Sequence, residues 1–308
     1  MNEVYTKQVK LLLDVLPEVA REEHFALHGG TAINLFVRDM PRLSVDIDLT
    51  YVLIGERDKD LVNINAALGR IKERVEALKP GIRIQHKNKL CKLQISDHGT
   101  QIKIEVNMVG RGLLGKTNKV QLCDVAQNRF DVFCSMTLVS MAQLYGGKIC
   151  ASLDRQHPRD LFDVKLLFEN EGFTEEIKTG LIFALISSNR PTHELLEPRL
   201  QDQSAAFASQ FDGMATIAFS YEDYEQTRLK LISEIHTCLT DADKDFILSV
   251  NRLEPDWGIY DFQDFPSVKW KLANLATFKE KRRKDHRQHY TKLEKILSGD
   301  LSGVQPGI

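Results

Sequence analysis

Apolar side chains recur at helical spacing from the start of the chain. Val4, Val9, Leu12, Leu13, Leu16 and Val19 predict a helix over residues 3–22. FALHGG then reads as a short strand running into a double-glycine turn, TAINLFVRD as a short helix, and LSVDIDLTYVL as an alternating strand. A helical period resumes over 58–78 and is broken by Pro80-Gly81. IRIQHK, KLQIS and QIKIEVNMV follow as three alternating strands joined by short polar turns such as Ser96-Asp97-His98-Gly99. This order predicts an α+β domain with a mixed sheet and flanking helices. After about residue 130 the alternation fades. Helices are expected at 135–152, 159–170, 173–187, 222–239 and 241–252, and one long helix over roughly 267–297. The pattern divides the chain into a sheet domain at 1–130 and a mainly helical domain at 131–308, with DVAQNRFDVF as the hinge.

The length of 308 residues suits two domains at ~150 residues each, large enough to bury a core without disulfides or structural metal. No run approaches the ~20 apolar residues of a membrane span, and the acid-bearing N-terminal stretch lacks the apolar core of a signal peptide. Five scattered cysteines, odd in number and without C-x-x-C, argue against a disulfide framework and point to the cytoplasm. The formal net charge is −2, yet Lys269–Lys295 carries ten Lys or Arg against three acids. A local +7 suits an element that tracks phosphates, and as one helix it would be about 46 Å long; it equally suits a solvated face.

Candidate chemistry concentrates in HGGTAINLFVRDMPRLSVDIDL, residues 28–49. Gly29 and Gly30 end a strand and open a helix, so backbone N–H groups there can face an anion, and Thr31 adds a hydroxyl. Asp46 and Asp48 stand at i and i+2 of a strand and project from one sheet face, with Val45, Ile47 and Leu49 on the other. Two such carboxylates repel unless a cation lies between them or one is protonated. Hard oxygen ligands of this kind suit Mg²⁺, with Mn²⁺ as an alternative, shared with substrate phosphates. Glu105, on the polar face of QIKIEVN with Lys103, is the only acid within the three later strands and so the candidate third carboxylate. In a two-metal arrangement it would ligate the second ion and take a proton from an attacking hydroxyl. The competing reading makes it an ion-pair partner of Lys103 or Lys92.

GGTAINLF followed by RLSVDIDL resembles the signature of the DNA polymerase β-type nucleotidyltransferase superfamily, and more narrowly of the AbiEii/AbiGii and MenT-like toxins of bacterial toxin–antitoxin and abortive-infection systems. YGGKICASLDRQHPRDLFDVKLL, residues 145–167, is similar to that family's second block, in which a helical lysine precedes R-D-x-x-D. The resemblance implies a Mg²⁺-dependent enzyme that moves a nucleoside monophosphate from an NTP to an acceptor hydroxyl, the acceptor being a tRNA 3′ end in the MenT branch. It implies that Asp46, Asp48 and Glu105 serve the metal, that Gly29, Gly30, Thr31, Ser44, Lys148 and Arg159 contact the nucleotide, with Lys148 neutralising phosphate charge, and that Asp160 is the essential acid of the second block. Ser44 matches a position phosphorylated in some relatives, where added negative charge beside two carboxylates would block metal binding. An antitoxin partner is implied as well. From the residues alone, Lys148 could equally pack its stem with its head in solvent, Asp160 could cap the helix after Pro158, and Asp163 could pair with Arg159 or Lys165. Other acceptors (a protein or small-molecule hydroxyl) and a non-catalytic nucleotide- or RNA-binding role remain open at this point.

Other motifs carry less. Gly110–Gly115 matches G-x-G-x-x-G, but KTNKVQL after it is no helix, so a dinucleotide site is rejected. His28 reads as a packed strand residue before a base.

Overall fold

The computed structural model describes residues 3–299, which form two compact units. The first runs to Ser140 and takes in Gln210–Phe219; the second takes Met141–Ser209 and continues from Ser220.

In the first unit, α1 (Glu3–Val19) precedes β1 (Phe25–His28), α2 (Gly29–Ala32) and a π-helical turn over Ile33–Val37. Then come β2 (Asp46–Tyr51), α3 (Arg57–Leu78), β3 (Arg83–Lys87), β4 (Lys92–Asp97), β5 (Thr100–Val106), β6 (Asn118–Gln121), α4 (Asp124–Phe130) and β7 (Ser135–Leu138). The strands form one mixed sheet in the order β3-β4-β5-β2-β1-β7-β6. β2 runs parallel to β5 and antiparallel to β1, which puts the expected chemistry on the three central strands. Ile47 pairs with Ile104, and Ile104 with Leu93, so one sheet face is a continuous aliphatic row, fully buried. Residues directly opposite on paired strands share a face, so the alternate positions present polar groups together. Ion pairs tie α3 to the end of α1 and the turn after it: Arg70 meets Glu22 at 2.5 Å, and Arg74 meets Glu18 and Glu22 at 2.9 and 2.8 Å.

The expected mixed-sheet α+β fold is present. The expected division at 130 falls inside α4's end, because β7 belongs to the sheet; Leu138 pairs with Leu27 of β1. Residues 135–138, expected as helix, are therefore strand. Four residues with two buried apolar side chains are too short to show their period before the helical pattern that follows. β6 escapes pattern reading for another reason: NKVQ is a polar edge strand.

The second unit contains α5 (Met141–Arg155), α6 (Pro158–Asn170), α7 (Glu175–Ser187), α8 (Thr192–Leu196), α9 (Ser204–Gln210), α10 (Tyr221–Cys238), α11 (Asp241–Arg252), α12 (Pro266–Lys281) and α13 (Arg283–Ser298). Ser220 with Asp223 and Thr240 with Asp243 form reciprocal capping boxes that start α10 and α11. The single helix expected over 267–297 is broken at Arg282, whose φ of −139° and ψ of 55° leave the helical region. In one straight helix Phe278 and His289 would stand ~16 Å apart along the axis. Their rings lie 5.2 Å apart, so α12 and α13 double back on each other. The doubling lets α13 bury Leu293, Ile296 and Leu297, an apolar stripe that a projecting helix would expose.

α5 and α7 pack backbone to backbone. A Cβ on Gly180 would fall 1.8 Å from the Ala142 carbonyl oxygen, and one on Gly146 would fall 2.2 Å from the Gly180 carbonyl. Gly180→Ala should therefore destabilise the protein by about 2 kcal/mol or more through overpacking, read as a lower denaturation midpoint in urea. An unchanged midpoint would show that the two helices can separate cheaply.

Candidate active site

Gly29 and Gly30 are closely enclosed by polar side chains. Gly29 has φ +72°, in the left-handed region, and a Cβ there would lie 2.5 Å from Asp48 Oδ2. A Cβ on Gly30 would lie 2.9 Å from Arg42 Nη2 and 3.0 Å from Ser44 Oγ. The turn is thus pressed against one carboxylate on one side and a guanidinium on the other. Thr31 is buried; its hydroxyl donates to the Asp46 carbonyl oxygen and is hydrogen-bonded to Ser44 Oγ at 3.0 Å. Ser44 is itself buried. Asn34 ties the start of the π-helical turn back, its Nδ2 donating to the Gly30 carbonyl at 3.0 Å.

Register carries the polar row across three strands. His28 pairs with Asp48, Asp48 with Glu105, and Asp46 with Lys103. The structure thereby brings Asp46, Asp48 and Glu105 to one face beside Gly29, as expected. Asp46, Asp48 and Glu105 are all half-buried. Lys103 supplies the local positive charge: its Nζ lies 2.8 Å from Glu105 Oε2 and 3.7 Å from Asp46 Oδ2. Lys92 donates to Glu105 Oε1 at 2.6 Å. Both ion pairs that the sequence left open for Glu105 are therefore formed together. Burial pushes the Glu105 carboxyl up, but the hydrogen bonds from Lys103 and Lys92 outweigh it and hold it below the usual carboxylate range. Burial likewise pulls the Lys103 ammonium down, and Glu105, Asp46 and Asp48 more than restore it, so it stays charged at neutral pH. Among the described residues, no three His, Cys, Asp or Glu side chains close into a ready metal-holding group. Asp46 and Asp48 are adjacent hard donors on one face, the set that suits a divalent cation shared with phosphate oxygens.

The profile of a family described as the nucleotidyl transferase AbiEii toxin of type IV toxin–antitoxin systems matches residues 10–274. The chain belongs to this family. It is therefore an enzyme that transfers nucleotides, from a class of toxins that implies a cognate antitoxin. Among solved structures it is similar to MenT4, a nucleotidyltransferase toxin from Mycobacterium tuberculosis H37Rv, at 13% identity and a TM-score of 0.59, with 88% of this chain and 93% of that one covered. That likeness speaks to the fold. No curated protein matches the sequence.

The AbiEii-family toxin's second block lies in the helical unit. Lys148 of α5 is buried, and its Nζ meets Asp160 Oδ1 at 2.8 Å and Asp163 Oδ2 at 3.0 Å. Arg155 grips Asp160 from the other side, Nε to Oδ2 at 2.6 Å and Nη2 to Oδ1 at 3.1 Å. The lysine's head is not in solvent, and Asp160 does not cap α6. His157 is the N-cap, its Nδ1 accepting from the Arg159 N–H at 3.2 Å, with Pro158 in the first turn. Asp163 pairs with Lys148, a partner the sequence reading did not weigh for it. Arg159 lies in that same first turn of α6. Burial pushes the Asp160 carboxyl up, and Lys148 and Arg155 reverse that strongly, holding it well below the usual carboxylate range.

Sequence reasoning passed over Arg42. Its guanidinium is buried beside Gly30, with Nη1 donating to the Leu43 carbonyl at 2.9 Å. The signal was an arginine inside an otherwise apolar MPRLSV segment, visible only once the segment is known to lie against the turn. His28, set aside as packing, stands half-buried in the same row as Asp48.

Gly29→Ala would have to displace the Asp48 carboxylate. Nucleotide transfer should fall about tenfold or more, since a misplacement near 1 Å can cost that much, while circular dichroism keeps its native form. Asp160→Asn should destabilise the helical unit by about 3 kcal/mol, because it weakens the compensation of a buried lysine. The depressed Asp160 pKa adds stability that is present above the unfolded-state value of ~3.9 and lost as pH falls below it. The difference between parent and variant in denaturation midpoint should accordingly shrink below about pH 4; a constant difference would contradict the ion cluster.

Proposed function

We propose that the protein transfers a nucleoside monophosphate from an NTP to the 3′ end of a tRNA, releasing pyrophosphate, and that Asp46 and Asp48 hold Mg²⁺, with Mn²⁺ able to replace it. The observation that supports this best is the contact between turn and carboxylate. Gly29 carries no side chain at the point where Asp48 Oδ2 approaches, so a phosphate bound at the turn and a cation bound at Asp46 and Asp48 would share one space. When bound, the cation would draw triphosphate oxygens toward the two carboxylates and offset charge as the leaving group departs.

The chain's own residues do the rest by positioning. Backbone N–H groups at Gly30 and Thr31 point an anion-binding turn at the phosphates. The Arg42 guanidinium stands beside that turn to offset negative charge. Glu105 is ionised at neutral pH and can accept the acceptor hydroxyl's proton at Oε1 or Oε2, with Lys103 or Lys92 yielding its hydrogen bond to that oxygen. The family resemblance assigns phosphate neutralisation to Lys148, nucleotide contact to Arg159 and an essential acid role to Asp160. The Lys148 ammonium is engaged by two aspartates, so in that role it would exchange one carboxylate for phosphate. Ser44 hydroxyl burial means that a phosphoryl group placed there requires the segment to open first. The exposed cations of α12 and α13 suit an RNA acceptor. Five unpaired cysteines suit a reducing cytoplasm, and no helix among the described residues is long and apolar enough to cross a membrane.

The test incubates the purified protein, Mg²⁺ and total tRNA with each α-labelled NTP in turn, beside Asp46→Ala. Label should appear on tRNA with the parent and be lost at least a hundredfold in the variant, with native circular dichroism checking that the variant keeps its fold. Label on a protein or small molecule instead would overturn the tRNA acceptor and keep the transfer. Undiminished transfer by Asp46→Ala would overturn the metal assignment.

A further inference from the structure

The doubled pair α12–α13 encloses, with the α8 region and α11, a cavity of about 230 Å³ that the transfer chemistry leaves unused. Among the described residues, no carboxylate lines it. Its basic groups are Lys271, His193, His286 and His289. Asn189, Asn251 and Asn274 add carboxamide edges, and Phe278 and Tyr290 add flat aromatic surface. Lys271 is only 4% exposed, and its ammonium donates to the carbonyl oxygens of Ser188 and Arg190 at 2.7 and 2.6 Å. Those two bonds leave one of its three N–H donors, and its charge is met by carbonyls. A buried cation at a cavity with no acidic lining is complementary to an anion.

The walls add a second requirement. Phe278, His286 and His289 form a ring cluster, with Phe278 5.2 Å from His289 and 6.0 Å from His286, and His193 lies 4.7 Å from His289. Burial and the neighbouring His289, Lys292 and Lys271 push His193 down to about 4, and burial lowers His286 and His289 as well. At neutral pH the imidazoles are therefore flat, uncharged groups that each offer a donor and an acceptor. Lys279, Arg282 and Lys292 act on these rings electrostatically; so do Glu194 and Asp285, which are paired with Arg190 and Arg282. The volume lies below the ~300 Å³ floor of drug-sized pockets, enough for one heterocycle and its substituent and too small for a peptide or a duplex.

We propose that this cavity is a nucleotide-recognition site built wholly from the helical unit, taking a nucleoside phosphate with its base against Phe278 and His289, its edges on the asparagines and its phosphate toward Lys271 and the α12–α13 cations. The ligand is a free nucleotide or one residue of a single-stranded RNA; the nucleoside phosphate is common to both. The site does not depend on the transfer reaction proposed above.

The experiment measures equilibrium binding of each ribonucleoside 5′-monophosphate, and of a short single-stranded RNA, to the full chain and to Phe278→Ala, Asn274→Trp and Asp46→Ala. Asn274 is exposed, so its tryptophan fills the mouth without loading the core and keeps the test valid should Phe278→Ala fail to fold. Loss of a stacking partner or filling of the mouth should weaken binding about tenfold or more. Asp46→Ala should retain the component of binding that Phe278→Ala and Asn274→Trp remove, whatever its effect on transfer, which separates this site from the catalytic reading. Saturation by a monophosphate, with RNA no tighter, identifies a free nucleotide. Tighter RNA binding that falls steeply with salt identifies a strand. Binding of neither probe overturns the proposal. Binding that Asn274→Trp leaves unchanged, with photo-crosslinks from an azido-nucleotide mapping to Gly29–Ser44, overturns it equally.

Discussion

Negative charge held on one face of a sheet is the constraint around which the first unit is arranged. Asp46 and Asp48 are two positions apart on β2, about 7 Å by strand rise, and at an effective dielectric near 20 their repulsion is about 2 kcal/mol before any partner acts. Glu105 pairs in register with Asp48 and adds a third charge. Lys103 and Lys92 offset the cluster, and the buried aliphatic row behind it keeps the strands from twisting the charges apart. The glycines in front complete the arrangement, since any side chain at Gly29 would push Asp48 out of its row. Rigid backing, crowded charge and an open backbone approach are three aspects of one packing solution.

Much of that solution was legible in the sequence, for a definite reason. Strand alternation fixes which face each residue takes, so V-D-I-D-L gave the placement of Asp46 and Asp48 without knowledge of the neighbouring strand. What β2 pairs with depends on topology, and periodicity does not report it. The in-register meeting of Asp48 with Glu105 and with His28 is a result of β5 and β1 flanking β2. Arg42 was illegible for the same cause. Its importance comes from lying against Gly30, a relation between a loop and a turn.

In the helical unit the sequence showed helices and missed how their charges are buried. Lys148, Lys178 and Lys271 are all under a tenth exposed, and each meets its charge differently. Lys148 is held by two aspartates; Lys178 by Asp243 at 3.1 Å and the exposed Glu175 at 2.7 Å; Lys271 by carbonyls. A lysine on an amphipathic helix reads as a snorkelling surface residue because the pattern does not reveal which neighbours close over it. The broken helix at Arg282 is a related case. Its periodicity runs through the break almost undisturbed, and only the need to cover Leu293, Ile296 and Leu297 makes the chain turn.

The strand of chain at Gln210–Phe219 has an implication for how the enzyme comes into being. Met214 accepts from the Leu43 N–H at 2.9 Å, and Thr216 bonds the Pro41 carbonyl through both its backbone N–H and its hydroxyl, 175 residues along the chain. The loop bearing Arg42 and Ser44 is pinned by residues that the ribosome adds long after the sheet itself has been made. A nascent chain of 140 residues holds every carboxylate of the sheet face yet lacks the clasp that sets the loop beside the turn. Products that end before residue 210 would thus carry the glycine turn without the contacts that order the Arg42 loop beside it.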